Sequence, residues 1–178
     1  PKPEEVNYYA LEYAAKKLPD GMKIIAVSDG VFEGTRELMG FETFAIALLE
    51  NPELIKEMSD RLGKIFENVH KNMVTMEKVG AVHMGDDMAY KQGPMISPKF
   101  MKEFFFPWQK KIVSISREKG IPFSIHSDGN NDIIMNDLIE YVGINAKHAF
   151  EDAAQPVTEV KKKYGKRLGL LGGIDMDI

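Results

Sequence analysis

Short apolar runs that end in carboxylates, histidines and glycines alternate along this chain with long amphipathic stretches. Residues 22–29 end in Ser28, Asp29 and Gly30, and residues 80–87 end in Gly85, Asp86 and Asp87. Residues 123–128 end in His126, Ser127 and Asp128, just before Gly129, Asn130 and Asn131. Residues 144–150 carry Lys147 and His148 ahead of Glu151 and Asp152, and residues 168–175 end in Gly172, Gly173, Ile174 and Asp175. Between these runs, residues 40–51, 52–79, 97–119, 131–142 and 155–164 have helical periodicity. Strands alternating with helices in this way predict βαβ units and a parallel sheet with the helices outside it. Asn51-Pro52 and Ser97-Pro98 each put a capping side chain directly before a proline at the first helical position.

A single domain over residues 1–178 is expected, since a chain with 44% hydrophobic and 28% charged residues can bury a core of its own. Five strand–helix units whose last strand lacks a following helix read as a fragment of a (β/α)8 TIM barrel, because a whole barrel needs about 250 residues. The net charge of -4 offers no general attraction to nucleic acid or to an anionic membrane. No apolar run of transmembrane length and no signal-peptide pattern is visible, so a cytoplasmic location is the expectation. The chain has no cysteine, which removes thiolate ligands and nucleophiles from these residues. The basic tract of residues 161–167 reads as a solvated helix end.

The chemistry concentrates at the strand ends. Alternation along residues 123–128 puts His126 and Asp128 on one face and Phe123 and Ile125 on the other. Asp29, Asp86 and His126 are expected to converge on one pocket at the carboxyl edge of the sheet, with His148 and Asp175 at its rim. Asp86 and His126 are the catalytic candidates. Asp29, Tyr90, Lys91, His148 and Asp175 are the substrate-binding candidates, and Gln92 lies in the same loop as Tyr90 and Lys91. Bland alternatives stand beside each of these. One of Asp86 and Asp87 must point away from the mouth and can cap a turn, and His148 can be a structural strand histidine. His83 reads as core or as a support to the site, and His70 as a surface residue of the long helix. The run Phe104, Phe105, Phe106 and Trp108 is too continuous for a one-sided surface helix and reads as packing against the barrel, with one ring available for a homodimer interface.

The segment Gly85-Asp-Asp-Met-Ala-Tyr-Lys-Gln-Gly-Pro-Met-Ile-Ser97-Pro98 through Trp108 resembles the uroporphyrinogen decarboxylase-like superfamily. So do the segments from Ile125 to Asn130, Asp137 to Gly143, Val160 to Gly165 and Leu171 to Asp175. The resemblance covers nearly everything from about Met22 onward and implies the middle and later part of a barrel about twice this length. It also implies one of two activities. Uroporphyrinogen decarboxylases work without metal or cofactor, using an aspartate of an amino-terminal segment and basic residues for the acetate and propionate arms. Corrinoid-linked methyltransferases bind zinc through a His-x-Cys pair and a later cysteine, and exchange a methyl group with a corrinoid presented by a partner protein. His126 falls on the histidine of that pair and Asp128 on the cysteine, so His126 and Asp128 are the expected metal ligands, with a third from Asp86, His148 or a residue beyond Ile178. A histidine–carboxylate site is a harder, more Lewis-acidic one than a thiolate site, which moves the expected small-molecule methyl donor or acceptor from a thiol toward an alcohol, ether, amine or water. The methyltransferase is the favoured expectation and uroporphyrinogen III decarboxylation the alternative. An inactive binding or structural module is the third.

Overall fold

The computed structural model describes residues 6–174. The elements run α1 (Tyr9–Lys17), β1 (Ile24–Asp29), α2 (Val31–Met39), α3 (Phe41–Glu50), α4 (Pro52–Met73) and β2 (Val79–Gly85). A short hairpin follows, β3 (Ala89–Tyr90) with β4 (Gly93–Pro94), then α5 (Pro98–Phe100), a π-helical turn over Met101–Phe105, and α6 (Phe106–Glu118). The chain continues through β5 (Phe123–His126), α7 (Asp132–Asn136), a second π-helical turn (Asp137–Val142), β6 (Ala146–His148), α8 (Val157–Tyr164) and β7 (Gly169–Leu170).

The five long-range strands form one sheet in the order β1-β2-β5-β6-β7, and every pairing between them is parallel. Sequential parallel neighbours joined through helices are the expected outcome of repeated right-handed crossovers. This is the arc of a partial (β/α)8 barrel, its helices on one face and its inner face open.

Strand parity sorts the side chains between the two faces. Ala26 in β1, Val82 and Met84 in β2, and Phe123 and Ile125 in β5 are all buried on the helix side. Those of β2 and β5 meet Phe32, Phe44, Phe105 and Ile112 in the main core cluster, while Ala26 packs in a second cluster with Val69, Met73 and Val79. Phe32 stands edge-on to Phe44 at 5.7 Å and to Phe105 at 5.2 Å, the arrangement that the ring quadrupoles favour. On the opposite parity Ile25 and Val27 are each 63% exposed, as lumen-facing residues of an open arc must be.

Several expectations need correcting in detail. The strands after β2 are shorter than the apolar runs, and α4 ends at Met73, not at residue 79. His70 is not a surface residue: it is fully buried on the core stripe of α4 with Ile55, Ser59, Gly63 and Met73. One ring nitrogen meets Ser28 Oγ at 3.0 Å and the other the Phe66 carbonyl at 2.7 Å, and burial holds its pKa down to about 4. The aromatic run packs inward as expected, with Phe104, Phe105 and Phe106 all buried. The π-helical turn favours this, because its i→i+5 bonding gives a smaller rotation per residue and keeps successive side chains nearer one face. Trp108 lies against Gly63, where no larger residue fits, and its indole N–H donates to Asp60 at 2.9 Å. Asn51 and Ser97 cap their helices as expected, accepting from Leu54 N and Phe100 N.

Candidate functional site

Register carries the site. Asp29 pairs with Gly85, Gly85 with His126, and His126 with His148, so these four form one row across the strand ends. One layer deeper, His83 pairs with Ser124, and its ring accepts or donates a 2.8 Å hydrogen bond at Ser124 Oγ. His83 therefore lies beneath the two upper histidines on the inner face, its ring centre 6.3 Å from His126 and 5.7 Å from His148. The parity of β2 contains this placement, since His83 alternates with the buried Val82 and Met84.

His126 and His148 are joined directly, Nδ1 to Nδ1 at 2.8 Å, so one of these nitrogens carries a proton and the other a lone pair. On its far side His126 Nε2 faces Asp128 Oδ2 at 3.6 Å. A carboxylate there favours a proton on Nε2. In the neutral pair this leaves His126 Nδ1 as the acceptor, His148 Nδ1–H as the donor and His148 Nε2 as a free base. The three groups thus form a relay, Asp128 to His126 to His148. Burial lowers the pKa of His148, and its histidine neighbour lowers it further while Asp128 opposes; His83 is lowered by burial and by both other histidines.

The two aspartates after β2 divide in the way opposite to expectation. Asp86 shares the parity of Val82 and Met84, is fully buried, and does not reach the mouth. Its Oδ1 accepts from Glu33 N at 2.7 Å and its Oδ2 from Gln109 Nε2 at 2.7 Å, so it caps the amino terminus of α2 from a neighbouring strand. Gly30 is required opposite it, because a Cβ there would run into the Asp86 carboxyl. Burial raises the Asp86 pKa to about 6 against these bonds. Asp87 is the aspartate on the inner side: its Oδ1 accepts from Asp128 N at 2.7 Å, and burial pushes its pKa up while that bond pulls it down.

A buried asparagine that sequence reading passed over fixes the loop bearing Asp128. Asn131 Nδ2 donates to the Asp128 carbonyl at 2.9 Å and the Gly129 carbonyl at 3.2 Å, while its Oδ1 accepts from Ser127 Oγ at 3.0 Å. Gly129, at φ +70°, lies directly under the carbonyls of Ala89 and Tyr90, an approach open only to glycine. The β3–β4 hairpin is thereby laid over the site. A cavity of about 210 Å³ results, lined by Asp87, Tyr90, Lys91, Asp128 and Glu151 with Ala89, Met95 and Gly129. Tyr90 and Lys91 of the hairpin line it, and Gln92 does not. Asp29 sits exposed at the outer end of the row, and Asp175 lies outside the described residues. A larger cavity of about 540 Å³ lies apart from this chemistry, beside α8 and Asn130.

His126 Nε2 and Asp128 Oδ2 are spaced as two ligands of one cation would be, but a catalytic zinc takes three protein ligands. Asp86 is turned into the helix layer, and His148 meets His126 at the nitrogen away from Asp128. Among the described residues no three His, Asp or Glu side chains are grouped to hold a metal. Residues 6–174 therefore do not complete a zinc site.

A sequence profile of the family described as uroporphyrinogen decarboxylase (URO-D) matches residues 3–178. Among solved structures, a methyltransferase from Methanosarcina mazei superposes with a TM-score of 0.75 at 17% identity, over 92% of this chain and 46% of its own. The chain therefore spans a little under half the length of that structure. No curated protein matches the sequence.

Proposed function

Since the chain belongs to the uroporphyrinogen decarboxylase (URO-D) family, we propose that its acidic strand-end mouth is the small-molecule site of a methyltransferase-type enzyme that exchanges a methyl group with a corrinoid presented by a partner protein. The observation that carries this reading is the charge of the cavity: three carboxylates, Asp87, Asp128 and Glu151, line it with one lysine, Lys91. A decarboxylase must hold the acetate and propionate arms of uroporphyrinogen, and carboxylates crowded against carboxylates are repelled. A neutral or cationic substrate is accommodated. The methyltransferase fold likeness supports the same branch, and the open inner face leaves the His126–Asp128 pair reachable by a group presented from outside, with side-chain exposures of 28% and 46%.

In this reading the chain's own groups bind the substrate and manage its proton. Asp87 and Asp128 hold a polar or positively charged substrate group, with the half-exposed Tyr90 ring beside them. As methyl transfer changes the charge on the substrate heteroatom, His148 Nε2 takes up or returns its proton. The positive charge spreads onto His126, where the Asp128 carboxylate stabilises it. The corrinoid supplies the methyl-carrying cobalt.

A binding measurement separates this from the decarboxylase alternative. Titrating the full-length protein with uroporphyrin, followed by quenching of the porphyrin fluorescence, is expected to show no saturable binding at micromolar concentration. Saturable binding released by a mutation in the mouth would favour decarboxylation instead.

A further inference from the structure

Lys147 is the one lysine among the described residues that is fully buried, and backbone carbonyls accept its hydrogen bonds. It belongs to β6 on the helix-facing parity, where Ile125 is its neighbour in β5 and Leu170 its neighbour in β7. From there the side chain runs toward the carboxyl ends of the strands. Its Nζ donates to the Ser127 carbonyl at 2.8 Å and the Ala149 carbonyl at 2.7 Å, and lies 4.4 Å from the centre of the Phe150 ring. Ser127 is the residue after His126, and Ala149 is the residue after His148.

We propose that Lys147 is a positioning residue for the histidine pair: its ammonium ties together the two backbone carbonyls that immediately follow His126 and His148 and so holds the two imidazoles at hydrogen-bonding distance. The backbone needs such a tie because the sheet stops there. The last ladder bond between these strands is Ser127 N–H to the His148 carbonyl at 2.6 Å, and beyond it β5 and β6 turn away into separate loops. Without the ammonium the Ser127 carbonyl would keep only a long 3.4 Å bond from Asn131 Nδ2, and two under-satisfied carbonyls at the end of a parallel pair would repel each other and splay the strands, and with them the side chains of the preceding residues. A single buried cation between them reverses that repulsion. A lysine serves here where a neutral donor would not, since charge-assisted bonds are about twice as strong as neutral ones.

The inference rests on the proposed role of the pair in proton handling, but it is tested first without activity. In the full-length protein with 15N-labelled histidine, the Nδ1–H···Nδ1 bond should appear as a 15N–15N scalar coupling between His126 and His148. In Lys147→Met that coupling is expected to vanish while circular dichroism and the thermal transition still report a folded protein. Turnover is expected to fall about 10²-fold with KM nearly unchanged, the loss that a displacement of about 1 Å produces in a catalytic constellation. If Lys147→Met does not fold, Lys147→Gln, which keeps an amide donor for one carbonyl, is measured in its place with the same expectation. Coupling retained in the folded variant overturns the inference, as does its absence from the unmutated protein. Coupling lost with turnover unchanged upholds the positioning role and removes the pair from the chemistry.

Discussion

Replacing His126 with alanine is expected to reduce turnover by 10²–10⁴-fold, the range over which a positioned general acid or base contributes, while the melting temperature moves by only a few degrees. The ring is part-exposed at the mouth and packs beside polar partners, so its removal opens no core cavity. His148→Ala should lose a similar factor, and the double variant should lose little more than either single one, because residues acting as one relay are strongly non-additive. Additive losses in steady-state kinetics would mean that the two histidines act separately.

The second large effect falls on stability. Asp86→Ala removes the cap of α2, strands the Glu33 N–H and the Gln109 amide in a dry interior, and leaves a cavity, which together should cost about 3–5 kcal/mol in denaturant unfolding. Asp86→Asn should cost about 1 kcal/mol or less. The amide oxygen can still accept from α2, and Gln109, whose Oε1 has no partner, can turn over to receive the new N–H. The two variants are also separated by pH. The folded pKa of Asp86, about 6, lies above its unfolded value, so the native state binds the proton more tightly and stability from this group is lost as pH rises from about 4 to 6. His70, held neutral at about 4, acts in the opposite sense: the unfolded chain binds that proton more tightly, so its contribution falls away as pH drops through 6.5 toward 4. The two slopes largely offset each other in the unmutated protein. In Asp86→Asn the opposing slope of Asp86 is gone while that of His70 remains, and stability between pH 6.5 and 4 should fall by on the order of 3 kcal/mol more than in the unmutated protein. Parallel curves for the two proteins would show that Asp86 is already ionised in the fold.

Much of this arrangement was legible in the sequence, and parity is the reason. Apolar residues alternating with polar ones in residues 80–87 and 123–128 announce a strand with a helix side and an inner side, and both strands lie as that alternation requires. The same alternation, carried through Gly85, assigns Asp86 to the side of Val82 and Met84, and His83 and Asp87 to the side of His126. Alternation alone says that the two aspartates face opposite ways; only carrying it back to Val82 and Met84 says that Asp87, and not Asp86, faces the mouth. His70 was equally readable, since it falls on the stripe of Ile55, Ser59, Gly63 and Met73 in α4. Lys147 was not readable. Its parity is that of a core residue, and what makes a buried lysine tolerable there is a pair of loop carbonyls brought together only by the register of β5 with β6. Asn131 belongs with it, for its partners are the backbone atoms of a turn that the sequence marks as glycine and asparagine without saying what they enclose.

What crosses the acidic mouth is measured by a single assay on the full-length protein. One preparation is supplied with a methylated corrinoid and candidate neutral or cationic acceptors, and separately with uroporphyrinogen III. Corrinoid absorbance follows the first and released carbon dioxide the second. The expected result is demethylation of the corrinoid that His126→Ala abolishes, with no carbon dioxide above background. Carbon dioxide release lost on the same substitution, with the corrinoid left unchanged, would contradict it.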